Sequence, residues 1–335
     1  GAAGPPGLHD HAMPERVVTS PVSGTVEDIV IGARRQVARM VIRRGTGEAR
    51  RFDPATADSP DGLRRLMLSS GLWAALLRRP FGRVPPPDET PAAIVVTAMA
   101  TEPGAADPAP LIRAEAGNFN TGIQALSRLG EGPVFVCQAP GAELARIGER
   151  VRVAVFSGTH PAGMPGVHVE RLCPATASHP VWQMGYADVL ALGQLLRDGA
   201  LPADRVVSLS GPAAADPRLL RLPIGADIEA LAGGEARGTA YRVLSGPLLS
   251  GQEGRFLRRR HVQISLTPRE APAPHGRKGS ALQRAALIPN AAISRSLGPD
   301  FPAVALLRAL SVGEVEQAER MGGLGLLEDD MALAS

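Results

Sequence analysis

The stretch from residue 92 to residue 137 opens with AAIVVTAMA (92–100), closes with PVFVC (133–137) and holds an apolar-periodic run over 108–129 between them. Two short apolar runs rich in β-branched residues, separated by a helical period, predict two buried strands joined by a helix, the unit of a parallel sheet. The helical run is expected to be interrupted near Gly117 and Gly122. Upstream, PDGLRRLMLSSGLWAALLRR (60–79) has the spacing of an amphipathic helix that breaks at Gly71 and resumes before Pro80. Downstream, VRVAVF (151–156) predicts another strand, and YADVLALGQLLRDG (186–199) a helix with Gly199 where a C-cap belongs. Asp188 is expected to cap or begin that helix. Strands alternating with helices over 57–200 argue a mostly parallel α/β unit.

Beyond residue 203 the rhythm changes to short strands and Gly-rich turns: RVVSLSGP, RLLRLPIG, YRVLSGPLLSG and HVQISLTP, with one brief helix around DIEALAGG. A small β-rich or β-grasp module is expected over 203–269. Before the α/β unit, residues 17–56 read as two or three short strands around a Pro21/Gly24 turn, preceded by a loose Gly/Pro/His-rich leader over 1–16. The leader has no basic segment followed by an apolar one, so no secretory signal is read there. Residues 270–300, containing EAPAPHGRKGS, have the composition of a linker, and 301–335 read as two or three short helices separated by glycine.

The chain has 335 residues, 44% hydrophobic and 21% charged, which suits a folded protein of two or three compact units. No apolar run approaches the length that spans a bilayer. Its basic residues are arginine except Lys278, and 36 of them nearly balance 33 acidic residues. The Arg pairs and the triplet 258–260 could form a phosphate-binding surface, but that balance and 3% aromatics favour ordinary solvated faces and no nucleic acid partner. Cys137 and Cys173 cannot make a CxxC pair, which removes a zinc ribbon or a cluster and fits a reducing cytosol.

P-loop, dinucleotide, GxSxG and HExxH motifs are all missing, and the single lysine argues against Schiff-base chemistry. The densest polar and glycine region is FSGTHPAGMPGVHVERL (156–172), after a predicted strand, where open α/β sheets place ligands. His160 and His168 flank two glycines there. They read as part of a rigid or ligand-lining loop, and no metal is expected. Trp73, Phe81, Trp182 and Tyr186 lie near Gly/Pro loops, where they either fill core or pack on a planar ligand such as a quinone.

Nine segments in order resemble the NqrA family, the peripheral subunits of Na+-translocating NADH:quinone reductases: TSPVSGTV, SSGLWAALLRRPFGRVP, AIVVTAMATEP, GPVFVCQAPGAEL, SGTHPAGMPGVHV, VWQMGYADVLALGQLLRDGAL, RVVSLSGPAAADPRLLRLPIGA, RVLSGPLLSG and RHVQISL. The resemblance implies a multidomain α/β chain: a partial barrel-sandwich (biotinyl/lipoyl-like) segment over 17–56, a Rossmann-like domain over 57–202, a β-grasp, soluble-ligand-binding (SLBB-like) domain over 203–269 and a short helical C-terminus. Only the second half of the barrel-sandwich module is matched, and without lysine it can carry no biotinyl or lipoyl group. In flavin-binding relatives a phrase like SGLRGRGG offers bare backbone to the flavin phosphate. Here Trp73, Ala74, Leu76 and Leu77 stand in its place, so FMN is not expected, and without a CxxCxxC array neither is an iron–sulfur cluster.

The function implied is that of a peripheral, redox-cofactor-free subunit, not catalytic in isolation, on the cytoplasmic side of the bacterial inner membrane. Its partners would be the other subunits of the complex, membrane-embedded ones included, and its ligand ubiquinone. The residues expected to meet quinone are Trp73, Arg79 and Phe81 in the altered glycine loop, His160, Gly163, Gly166 and His168, with Trp182 and Tyr186 behind them. A His or Arg would hydrogen-bond a quinone carbonyl while aromatic rings stack on it. The alternative is a shortened, non-enzymatic paralogue acting as a scaffold or interaction module.

Overall fold

A computed structural model describes residues 6–9, 17–33, 36–269 and 289–334. In the N-terminal part, β1 (Pro6–His9) pairs antiparallel with β2 (Val17–Thr19), and β3 (Gly24–Ile31) pairs antiparallel with β4 (Val37–Arg44). Part of the expected leader is thus a strand. Both ladders stop at two strands, so among the described residues this segment closes no barrel-sandwich.

The α/β domain follows as α1 (Pro60–Ser69), β5 (Leu77–Arg79), β6 (Ala93–Thr97), α2 (Pro108–Ala114), α3 (Ala116–Leu126), β7 (Val134–Gln138), β8 (Val151–Val155), α4 (Pro165–Leu172), β9 (Val181–Gly185) and α5 (Tyr186–Asp198). Helix α1 starts where Ser59 accepts from the Gly62 amide with Pro60 in the first turn, and ends before Gly71, whose φ is +74°. The expected resumption of helix before Pro80 is corrected. Leu77–Arg79 is a strand paired antiparallel with β9, because hydrogen bonding to a sheet edge outweighs the helical spacing of its leucines. The 108–129 stretch breaks at Glu115, not at a glycine.

The sheet order is β5-β9-β6-β7-β8, with β6 to β9 mutually parallel. Alternation along the strands sends Ile94, Val96, Val134, Val136, Trp182 and Met184 to one face, where α1, α3 and α5 cover them. Ala93, Val95, Phe135, Cys137 and Val181 go to the other. The chain builds outward from β6 through β7 to β8, then returns to lay β9 on the opposite side of β6. That reversal opens a crevice beyond the carboxyl ends of β6 and β9.

The β-grasp domain consists of β10 (Arg205–Ser210), β11 (Arg218–Leu222), α6 (Ile228–Ala232), β12 (Tyr241–Ser245), β13 (Gln252–Glu253) and β14 (Gln263–Pro268). Its sheet order is β11-β10-β14-β12-β13, with β10 and β14 the parallel pair, and α6 packs Ile228 and Ala232 onto Val207, Leu209, Ile264 and Leu266.

Of the expected linker, 270–288 lies outside the described residues. The remainder holds α7 (Ala291–Arg295) and places Leu297 in the core. It continues into α8 (Ala303–Val312) and α9 (Val315–Arg320), which with α4 cover the second face of the α/β sheet through Leu297, Phe301, Leu306 and Ala318. The C-terminal helices therefore complete the α/β domain.

Candidate functional site

The crevice at the strand reversal is a cleft of about 480 Å³. Thr97 ends β6 at its floor and Gln183–Gly185 end β9, while Glu102 approaches on the loop after β6. The β-grasp domain supplies the facing wall with Ser250 and residues 258–263, and Leu327, Asp329 and Asp330 close one side. Two hydrogen bonds clamp the loop after β6 to the β-grasp sheet: Ser208 Oγ donates to Gly104 O at 2.6 Å and Gln263 Nε2 to Pro103 O at 2.8 Å. Beside the cleft a recess of about 140 Å³ is lined by Tyr186, Asp188, Arg260 and Gln263.

Of the residues expected to meet quinone, Arg79 lines the cleft but its guanidinium is committed inward. It is 1% exposed, donates to Gln183 Oε1 and Gly325 O, and pairs with Asp330. Asp330 also accepts from the Gly166 amide at the start of α4, at 2.9 Å, and from the Leu327 amide at 2.9 Å. A Cβ on Gly166 would lie 2.6 Å from the Asp330 carboxyl carbon. Arg79 and Gly166, remote in sequence, thus meet on one C-terminal carboxylate.

His160 and Gly163 meet on Thr101, the neighbour of Glu102: His160 Nδ1 shares a 3.2 Å hydrogen bond with Thr101 Oγ1, which accepts from the Gly163 amide at 3.0 Å. His168 lies on the buried side of α4, so the expected loop over 156–172 ends in helix, its proline tolerated in the first turn. Its ring stacks obliquely on Phe156 at 4.2 Å and Nε2 donates to Ala162 O, while burial pulls its pKa down to about 4, holding it neutral.

Trp73 and Trp182 are 1% and 0% exposed and pack edge to face at 5.4 Å in the helix-covered core. Their indole N–H groups donate to Pro85 O and Glu89 Oε1, and neither ring lines the cleft. Phe81 is 59% exposed with φ of +78° and also lies off the cleft. Tyr186 lines the recess, its hydroxyl pushed up to about 12 by burial. Asp188 stands in the first turn of α5 but does not cap it, since Gly185 occupies that position, and it forms a buried pair with Arg205 at 2.8 Å.

Sequence reasoning passed over Glu102, Asp329 and Asp330. Burial, aided by the nearby Asp329 charge, pushes the Glu102 carboxyl up to about 7, against the opposing effect of a 3.4 Å bond from Ser250 Oγ to Oε1. Its Oε2 is shut from solvent and finds no hydrogen-bond partner among the described residues. Asp329 is likewise raised, by burial and then by its neighbours Asp330 and Glu328. Burial lowers Arg259, whose Nε is also without a partner among the described residues, and His261, which drops to about 4 while its Nδ1 meets Ser245 Oγ at 2.9 Å. The one sequence signal for Glu102 is its place, five residues past Thr97 and just before Pro103-Gly104, on a strand-end loop. Among the described residues no group of three His, Cys, Asp or Glu side chains is placed to hold a metal ion.

A Rossmann-like domain whose strand-end crevice is roofed by a β-grasp domain defines a multidomain α/β protein. Family models of the NqrA second alpha/beta domain and of the NQRA C-terminal domain match residues 59–201 and 206–255. The chain is 35% identical to the NqrA subunit of the Na(+)-translocating NADH-quinone reductase of Shewanella amazonensis, over 98% of this chain and 82% of the relative. It is 37% identical to that of Saccharophagus degradans, over 95% and 79%. The chain belongs to the NqrA family of Na+-translocating NADH:quinone reductase subunits. Among solved structures, a chain of an NAD+-reducing NiFe hydrogenase overlaps 63% of this chain and 47% of its own, at a TM-score of 0.43 and 14% identity.

Proposed function

We propose that this chain is a peripheral subunit of a Na+-translocating NADH:quinone reductase, carries no redox cofactor of its own, and contributes a quinone-binding cleft and contacts for assembly. The observation that carries the reading is the cleft at the β6/β9 reversal, walled by two domains and the C-terminal segment. A quinone presents a flat apolar ring with carbonyl acceptors at opposite ends. The cleft offers apolar surface from Leu77, Met164 and Met184 beside polar groups from Gln183, His261 and Arg258. With the Ser245 hydroxyl proton given to His261 Nδ1, the ring's Nε2–H is the remaining donor.

The absence of flavin in this reading is supported by the filling of residues 72–77. Leu72, Trp73, Ala75, Leu76 and Leu77 are all buried, so this stretch has no bare backbone to offer a phosphate. Among the described residues no helix is long and apolar enough to cross a membrane, which fits attachment at the cytoplasmic face through embedded subunits. Quinone thus stands as ligand, and NADH oxidation belongs to another subunit.

Photolabelling the assembled complex with an azido-ubiquinone, followed by peptide mapping, tests the reading. Label on peptides covering 97–105, 183–188 or 247–263, displaced by excess ubiquinone, is the expected result. Displaceable label confined to other subunits would reduce this chain to a scaffold.

A further inference from the structure

We propose that Glu102 is a second hydrogen-bond donor of the cleft, beside His261, presenting a protonated carboxyl to a carbonyl oxygen of the bound quinone. The inference rests on the quinone reading above and adds to it a further group that recognises the ligand. Its basis is geometric. Glu102 stands on the loop that leaves β6 at the strand reversal, inside the cleft, and that loop is held by the bonds to Gly104 O and Pro103 O. A carboxylate in such a place needs donors on both oxygens. Glu102 has one long bond at Oε1 and none at Oε2 among the described residues.

The surroundings explain why this carboxyl is the acid of the site. Asp329 and Asp330 approach from the C-terminal segment, Arg258, Arg260 and His261 from the β-grasp wall, and Arg79 from β5. Arg79 is engaged by Asp330, His261 is neutral above about pH 4, and none of Arg258, Arg259 and Arg260 on the same wall figures among the influences on the Glu102 carboxyl. Burial first, and then the like charge of Asp329, favour the neutral acid. A neutral carboxyl has one O–H to give, and a quinone has only acceptors at its carbonyls. The match is one of hydrogen-bond polarity: the single O–H of the neutral acid meets a carbonyl acceptor.

Binding that requires the protonated form weakens as that form is depleted, since the apparent dissociation constant rises in inverse proportion to the competent fraction. With Glu102 titrating at about 7, affinity falls roughly tenfold between pH 6 and pH 8. Calorimetric titration of the full chain with a short-chain ubiquinone across this range reads the effect. Glu102→Gln keeps an N–H donor that does not titrate, so it should bind at both pH values with nearly the affinity of the unsubstituted chain at pH 6. Glu102→Ala should bind at least tenfold more weakly at pH 6, with far-ultraviolet circular dichroism verifying its fold. Binding by the unsubstituted chain that is equally tight at pH 6 and pH 8, or shared equally by both variants, overturns the role of Glu102 and leaves the quinone cleft standing. No saturable binding at any pH by the folded chain overturns quinone binding by the chain alone, and the donor role with it.

Discussion

Arg79 carries a positive charge into an interior where it is 1% exposed, and the carboxylate that meets it, Asp330, is 3% exposed. The pair closes a circuit in which Asp330 also fixes the Gly166 and Leu327 amides, so one side chain joins β5, the start of α4 and the C-terminal segment. A buried ion pair contributes little against an apolar substitute, but removing one partner strands the other charge in a low dielectric. Asp330→Ala should therefore lower stability by about 3–5 kcal/mol. Urea unfolding followed by tryptophan fluorescence checks this, and an unmoved midpoint would mean that solvent reaches Arg79. Gly166→Ala should act in the same direction, because its new Cβ occupies the space of the Asp330 carboxylate.

Helices α3 and α5 cross close enough that a Cβ on Gly122 would lie 2.3 Å from Val189 O, and one on Gly193 1.7 Å from Asn118 O. Gly122→Val must push the two helices apart and should cost about 1–3 kcal/mol, read as a lower melting temperature in calorimetry. A melting temperature that does not fall would show that the crossing is looser than these distances imply. The same glycine shows what the sequence conceals. From periodicity alone Gly122 reads as a helix interruption, because backbone permissiveness is visible along the chain and close packing against a distant helix is not. Where local chemistry decides, the reading holds: β6 and β7 follow from their β-branched runs, and α5 ends at Gly199 with φ of +67°. Where a partner far along the chain decides, it fails. Leu77–Arg79 is a strand only because β9 lies beside it, and nothing near Arg79 in the sequence announces Asp330, 251 residues on, which engages it. Trp73 and Trp182 left core and ligand packing open in the sequence. Their satisfied N–H groups and mutual contact place them in the core.

Across the whole molecule, the α/β sheet is covered on one face by α1, α3 and α5 and on the other by α4 together with helices from the far end of the chain. A parallel sheet needs both faces covered. The C-terminal helices therefore hold the cleft indirectly, since the same segment continues to Asp329 and Asp330 on the cleft wall. Leu306, fully buried between α8 and the sheet face that contains Cys137, is the place to test this dependence. Leu306→Asp puts an unpaired carboxylate into that layer, which a buried apolar site does not tolerate. The C-terminal cover should then open while the opposite face keeps its packing. Cys137 reports the opening: it is inaccessible and burial raises its thiol pKa, so in a Cys173→Ser background an aromatic disulfide reagent should label it slowly in the parent chain and at least tenfold faster in the variant. Trp73 and Trp182 report the other face, and their near-ultraviolet circular dichroism should persist. Fast labelling with that signal retained means that the C-terminal layer is a separately opening cover. Loss of both together means that the sheet and its two layers form one cooperative unit, and unchanged labelling would remove Leu306 from the contact that protects Cys137.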